Sequence, residues 1–302
     1  MQRLAILVHG GAGTLWPDED QAASRDGVAA AAEAGFAVLA RGGSALDAVE
    51  AAVTLLENDP NFNAGTGSAL TSEGSVECDA SVMDGATGKG GAVAGLKTVK
   101  NPVRVARKVM EQTPHLMLAG PGAEAFARAQ GFLEIANAAL ITNRARVRLA
   151  AELATSSGGT VGAVARDAQG RLAAATSTGG TMGKLPGRVG DTPILGAGTW
   201  AQADGGAVSC TGQGEPIILS GLSRWAAEQI AAGKDSAEVC RAAVLRLERA
   251  GGTGGLIVVD PSGRPTYWYD TERMPFAHRT STSPLKVGLL PEDRETFGGF
   301  GA

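Results

Sequence analysis

Histidine is scarce in this chain. His9, His115 and His278 are the only three in 302 residues and lie far apart, which leaves little material for a histidine metal centre or a Ser-His triad. If the chain is an enzyme, its base comes from elsewhere. Cysteine is as sparse: Cys78, Cys210 and Cys240 are an odd number without paired spacing, so neither a disulfide framework nor a zinc site is indicated. No stretch approaches membrane-spanning length. The apolar run within residues 1–8 is too short for the core of a signal peptide, and no Asn-x-Ser/Thr site occurs. The expected location is the cytoplasm. There is no Gly-x-Ser-x-Gly elbow, and Gly183-Lys184 and Gly88-Lys89 lack the other residues of a phosphate loop. The 27 basic residues are scattered and the net charge is −4, so nothing resembles a nucleic-acid footprint.

What is abundant is glycine. Its 44 residues are about twice the ordinary share of roughly 7%. They sit at strand ends and between apolar segments, where chains turn tightly or approach a neighbour closely. The rest of the composition, 44% hydrophobic and 19% charged, is that of a soluble globular protein with an ample core. Residues 4–8 read as a strand buried on both faces. An alanine-rich helix follows over residues 20–40 and is broken by Gly42-Gly43. Ser44 with Asp47 then caps a second helix, whose Leu46, Val49, Val53 and Leu56 repeat down one face until Asp59-Pro60.

Strands are expected near residues 76–83 and 91–96, and a helix starts at Asn101-Pro102. Another helix is expected over 143–154. Residues 155–159 are small and polar, the kind of stretch where a chain is exposed and cut. Two hairpins follow, 160–166 with 171–176 and 256–260 with 265–269. Helices over 222–232 and 236–248 lie between them, the second capped by Ser236. Helices packed on sheets with antiparallel pairs, no internal repeat and no long linker predict one layered α/β domain.

Within this frame the informative residue is Thr160, in Gly159-Thr160-Val161-Gly162. A threonine hydroxyl is a poor nucleophile unless a base takes its proton. A backbone cut before Thr160 would expose an α-amine beside that hydroxyl, with a pKa of about 7.7–8.0, so one residue would carry both nucleophile and base. Glycine at 159 leaves the attacked carbonyl uncrowded. Taken alone, the motif also describes a strand threonine after a turn. Its company is more specific: Thr178-Gly179-Gly180, then Lys184 through Arg188 to Asp191, then Gly196-Ala197-Gly198, then Thr211-Gly212-Gln213-Gly214-Glu215. Upstream stand His9-Gly10-Gly11-Ala12-Gly13 and Asn61-Phe62-Asn63-Ala64-Gly65-Thr66-Gly67.

In this order, the set resembles the plant-type L-asparaginases, or isoaspartyl peptidases, of the N-terminal-nucleophile hydrolases. The similarity runs from His9 to about Leu256. It implies a four-layer αββα sandwich over residues 1–302, made as a precursor and cleaved into fragments 1–159 and 160–302, which pair as a dimer of heterodimers. Thr160 matches the nucleophile freed by cleavage after Gly159, and Thr178 the threonine that orients it. Thr211 and Gly212 match the oxyanion donors. Arg188 matches the grip on the substrate α-carboxylate, and Asp191 the acceptor for its α-ammonium, helped by Gly212 and Gly214. Asn63 matches an asparagine near the site. The carbonyls of Leu56, Glu57, Asp59, Phe62, Ala64 and Thr66 match a loop that holds a structural sodium ion. The implied reaction is hydrolysis of the side-chain amide of L-asparagine and of isoaspartyl dipeptides, with no cofactor or catalytic metal.

Other residues invite competing readings. Asp79 and Asp84 could be an acid–base couple, but two carboxyls satisfying nearby backbone donors is the plainer account. Lys184 reads as solvated. The stretch before Thr160 is shorter than the family's usual linker, and Thr181-Met182 and Trp200 vary its pattern in ways that bear on the pocket. A glycosylasparaginase on the same fold, or an inactive small-molecule binding protein, are the rival functions. The second predicts a chain that is never cut.

Overall fold

The computed structural model of the chain describes residues 3–15, 20–151 and 159–295. The exposed stretch expected over 155–158, and with it the short linker, lies outside the described residues. Strand β1 (Ala5–His9) is buried along its whole length. Helix α1 (Gln21–Ala40) is capped by Asp20. Helix α2 (Ala45–Asn58) carries the expected capping box, Ser44 accepting from Asp47 N–H and Asp47 reaching back to Ser44 N–H. Val49, Val53 and Leu56 are buried on its inner face, while Leu46 is only half-buried at the margin. Strands β2 (Cys78–Asp84) and β3 (Lys89–Leu96) form a hairpin. Helix α3 (Pro102–Gln112) starts with proline at its first position. Strand β4 (Met117–Ala119) and helices α4 (Gly120–Ala129) and α5 (Asn143–Ala150) complete the first half.

The second half opens with the hairpin of β5 (Val161–Arg166) and β6 (Leu172–Thr178). Strands β7 (Thr199–Gln202) and β8 (Gly206–Gly212) lead into α6 (Gly214–Ser220), α7 (Leu222–Ala231) and α8 (Ser236–Arg249). The α8 cap differs from expectation. Asp235, not Ser236, accepts the N–H groups of Ala237 and Glu238, because a carboxylate one residue earlier reaches both orphan donors, whereas the Ser236 hydroxyl turns to Asp260. Strands β9 (Gly254–Val259), β10 (Pro265–Tyr269), β11 (Phe276–Thr280) and β12 (Ser283–Gly288) follow.

Eight strands form one sheet in the order β12-β11-β1-β5-β6-β2-β3-β4, and four form another in the order β10-β9-β8-β7. Three apolar layers separate four structural ones. Ile6, Val8, Ala163 and Ala175 on the large sheet meet Val28, Val49 and Val53 of the first helices. Ala5, Leu7, Val164 and Ala174 point the other way and meet Ile257 and Val259 of the small sheet. Val208, Leu256 and Val258 turn outward to Ala226, Ala243 and Leu247 of α7 and α8. The period-two alternation of side chains along β1, β5 and β6 produces this division. It is the αββα sandwich expected, and strands buried on both faces explain the unbroken apolar runs. Among the described residues, no helix is long and apolar enough to cross a membrane.

Candidate active site

Thr160 stands one residue before β5. Pairing of Val161 with Ser177 brings Thr178 opposite it, and the two threonine hydroxyls meet at 3.3 Å. Gly180 N–H donates to Thr178 Oγ1 at 2.9 Å, fixing that oxygen. Thr211, near the end of β8, closes a third side. Its Oγ1 accepts the amide of Ala12 at 3.0 Å and the amide of Thr160 at 3.4 Å. A hydroxyl receiving two N–H groups still has its own proton to donate. Gly212 follows it at the strand end. Thr160, Thr178 and Thr211 are all buried, so charge developing among them meets a low effective dielectric.

The scissile-bond candidate has a definite seat. Gly11 has φ +104°, and a Cβ there would fall 2.5 Å from Gly159 Cα and 2.9 Å from Thr160 N. Only glycine combines that backbone with that approach. Arg273 anchors the Gly11 turn, donating from Nη1 to the Gly11 carbonyl at 3.0 Å. No motif in the sequence pointed to Arg273. Asn63 lies at the same end: Nδ2 donates to the Gly180 carbonyl at 2.7 Å and Oδ1 accepts Ala69 N–H at 2.6 Å.

Arg188 and Asp191 form the other end of the site, with Gly214 between them. A Cβ on Gly214 would lie 2.8 Å from Arg188 Nη2 and 3.0 Å from Asp191 Oδ1. Arg188 is engaged two-pronged by Glu215, Nε to Oε1 at 3.0 Å and Nη2 to Oε2 at 2.9 Å, and hydrogen bonding from Arg188 holds the Glu215 carboxyl low. The third nitrogen, Nη1, carries two further donors. Asp191 is buried with Oδ2 lacking a hydrogen-bond partner. Burial pushes its carboxyl up to about 7, against opposing effects from its own backbone N–H and from Arg188. A buried carboxyl with a vacant oxygen beside a guanidinium can accept a cation while a neighbouring anion meets the arginine.

Two readings of the sequence change here, for Lys184 and for the pocket variations, while the structural account of Asp79 and Asp84 holds. Lys184 is buried, not solvated, and donates from Nζ to the Glu77 carbonyl at 2.7 Å. The Glu77 and Asp79 region supplies the counter-field that such a cation needs. Asp79 and Asp84 stand at opposite ends of β2; the first accepts Gly95 N–H, the second serves a turn with Ala86 and Thr87. Neither makes a couple. Trp200 meets Gln202 and Arg224, and Met182 packs near Leu70 and Leu140, so these variations belong to packing.

The loop after α2 coils on itself. The carbonyls of Leu56, Glu57 and Asp59 accept the amides of Asp59, Thr66 and Phe62 at 3.3, 2.8 and 3.2 Å. Those of Pro60 and Phe62 converge 2.6 and 2.8 Å from where a Cβ on Gly67 would lie. Carbonyl oxygens suit a hard cation, but those of Leu56, Glu57 and Asp59 already accept backbone amides here and that of Pro60 accepts Arg144 Nη2. The Glu57 side chain does something the sequence did not signal. It is fully buried and accepts Ser177 Oγ at 2.7 Å, Val103 N–H at 2.9 Å and Asn101 Nδ2 at 3.1 Å. Burial pushes its carboxyl up to about 8, these donors opposing.

A family model described as Asparaginase matches residues 2–289. The chain is 44% identical to an isoaspartyl peptidase/L-asparaginase of Homo sapiens over 299 residues, covering 95% of this chain and 96% of the relative. It is 44% identical to a protein of the same name from Bos taurus, covering 90% and 92%. Identity to an isoaspartyl peptidase of Salmonella typhimurium is also 44%, covering 91% and 94%.

Proposed function

The chain belongs to the asparaginase family, and from that premise we propose that it is a self-cleaving threonine amidohydrolase releasing L-aspartate from L-asparagine and isoaspartyl dipeptides. The observation that carries this is the convergence of Thr160, Thr178 and Thr211 at the Gly159–Thr160 junction. In the precursor, Thr160 Oγ attacks the Gly159 carbonyl and the C–N bond breaks as the ester forms, which frees the Thr160 amine; water then cleaves that ester, releasing the Gly159 carboxylate and restoring the Thr160 hydroxyl. In the mature protein that amine takes the hydroxyl proton as Oγ attacks the substrate's side-chain carbonyl. The Thr211 hydroxyl and Gly212 N–H face the developing oxyanion, a role in which one donor is commonly worth about 3–4 kcal/mol. Ammonia or an amino acid departs with the proton. Water, deprotonated by the same amine, then releases aspartate.

Arg188, through Nη1, would hold the substrate α-carboxylate and Asp191 its α-ammonium. The mature unit would be fragments 1–159 and 160–302, paired again as a dimer of heterodimers. The loop of residues 56–66 would hold a structural sodium ion. Three buried free cysteines accord with a reducing compartment, the cytoplasm.

Intact mass of freshly purified and incubated protein tests the reading, with Thr160→Ala alongside. Two fragments from the parent, one beginning at Thr160, are expected, with none from the variant. The parent should hydrolyse asparagine or a β-aspartyl dipeptide and the variant neither. A parent that stays one chain under all conditions sinks the mechanism and leaves a small-molecule binding protein.

A further inference from the structure

Arg188 stands on a turn that apolar packing does little to hold. Its N–H closes on the Leu185 carbonyl at 3.0 Å, with Pro186 between them and Gly187 at φ +82°, the sequence and backbone of a type II turn. Leu185 is 73% exposed, and Pro186 and Gly187 are exposed too, so burial of apolar surface contributes little to the turn's position. Glu215 grips the guanidinium from a side chain that is itself 65% exposed, a setting in which an ion pair is weak. A firmer anchor is needed.

Two buried residues, Glu77 and Lys184, supply it. Glu77, immediately before β2, accepts Gly187 N–H on Oε2 at 2.8 Å and pairs through Oε1 with Lys97 Nζ at 2.9 Å. Burial pushes its carboxyl up, but Gly187 N–H and Lys97 outweigh this and hold it below the ordinary value. Lys184, at the head of the turn, returns to the same residue: Nζ donates to the Glu77 carbonyl at 2.7 Å. The Lys184 backbone carbonyl accepts Ser72 N–H at 2.8 Å. The turn is thus tied at both ends to Glu77. Two residues further on, Asp79 pairs with Thr178 across the seam of β2 and β6. The Lys184 side chain also runs beside Gly180, where a Cβ would lie 2.9 Å from Cδ and Nζ and 3.4 Å from Arg188 Nη1. Gly180 N–H donates to Thr178 Oγ1, so the anchor reaches the nucleophile side of the site by two routes.

We propose that Glu77 and Lys184 are positioning residues for substrate binding, a clamp that sets the Arg188 guanidinium at a fixed place relative to Thr178 and Thr160. Their side chains bond to Gly187, Lys97 and the Glu77 carbonyl rather than to the site threonines. Self-cleavage makes no call on Arg188, because the attacked carbonyl there belongs to Gly159 and no α-carboxylate is bound. The clamp therefore bears on substrate and leaves the cut alone. A contact between arginine and carboxylate is made in the ground state and the transition state alike, so its loosening reads mainly as a higher KM.

The clamp rests on the amidohydrolase reading, and the test separates the two. Self-cleavage rate and steady-state hydrolysis of the better of L-asparagine and a β-aspartyl dipeptide are measured for parent, Glu77→Ala, Glu77→Gln and Lys184→Met. Glu77→Ala and Lys184→Met should each raise KM about tenfold, with kcat and the self-cleavage rate within about twofold of parent. Glu77→Gln keeps an oxygen for Gly187 N–H and should recover most of the lost affinity. On an Arg188→Ala background, Glu77→Ala should change kcat/KM by less than about twofold, since it acts through that arginine. Unchanged KM in Glu77→Ala and Lys184→Met, or losses that multiply with Arg188→Ala, overturn the clamp. Loss of self-cleavage in both does so too, assigning the pair to the fold at large. If Glu77→Ala alone fails to fold, Lys184→Met, which keeps the side-chain stem, decides. A parent that is neither cut nor active defeats the amidohydrolase reading itself, and the clamp falls with it.

Discussion

Asp191 is a carboxyl group with 4% of its surface exposed and one oxygen without a partner, so its charge is costly until a cation arrives. Its folded pKa of about 7 lies above the ordinary 3.8, so the native state holds this proton more tightly than the unfolded chain. Stability from this group is whole below about pH 4 and is lost as pH rises toward about 7. Asp191→Asn should therefore raise the melting temperature above pH 7, on the order of a few kcal/mol at most, and change little below pH 4. On the proposed function, the same substitution removes the ammonium acceptor. It should cost about 2–5 kcal/mol in kcat/KM, roughly 30- to 5,000-fold, and parent kcat/KM should fall as pH drops below about 7. Superimposable melting curves of parent and variant above pH 7 would refute the burial argument. The residue types were legible from the sequence, whereas the Arg188–Glu215 clamp and the burial of Lys184 were not, because spacing carries no information on which side chains share a pocket.

The loop following α2 is the element whose role is most open to experiment. The chain turns back soon after the helix, Thr66 N–H reaching the Glu57 carbonyl, and the Pro60 and Phe62 oxygens approach Gly67 closely. A sodium ion held there should raise the melting temperature in sodium chloride over choline chloride at equal ionic strength. About 1 kcal/mol, or roughly 2–4 °C, is the expected scale. Gly67→Ala, whose methyl group would fill the space, should erase the difference. Equal melting in both salts rules the ion out. Elements with strong local signals were legible in advance: the Ser44 capping box, Pro102 at the start of α3, and the β5–β6 hairpin. The α8 cap was misassigned by one residue because Asp235 and Ser236 are both good caps, and only the direction of each side chain decides between them. Strands β7, β8, β11 and β12 carry weak periodicity because glycine, polar and apolar residues mix along them.

The sheet order decides how a cut molecule behaves. Strands β11, β12, β5 and β6 come from residues 160–302, while β1, β2, β3 and β4 come from 1–159, and they interleave in one sheet. Separating the fragments would break three antiparallel seams, β1 with β11, β1 with β5, and β2 with β6, and would expose the apolar layers on either side. Cleaved protein should elute from gel filtration as one species and resolve into two polypeptides only in denaturant. Fragments that part under native conditions would contradict this account.

The sequence by itself determined the layered α/β class, the main helix boundaries, and the set of residues around Gly159-Thr160, because caps, alternation and glycine spacing are local properties of a chain. The tertiary structure decided which of those residues meet. Thr211 reaches Thr160 only because β8 crosses over the large sheet. Ser209 meets His9, and Ser177 meets Glu57, because alternate residues of a buried strand face opposite layers. Those contacts depend on strand register across distant segments, and no local pattern encodes register between strands that a fold has yet to bring together.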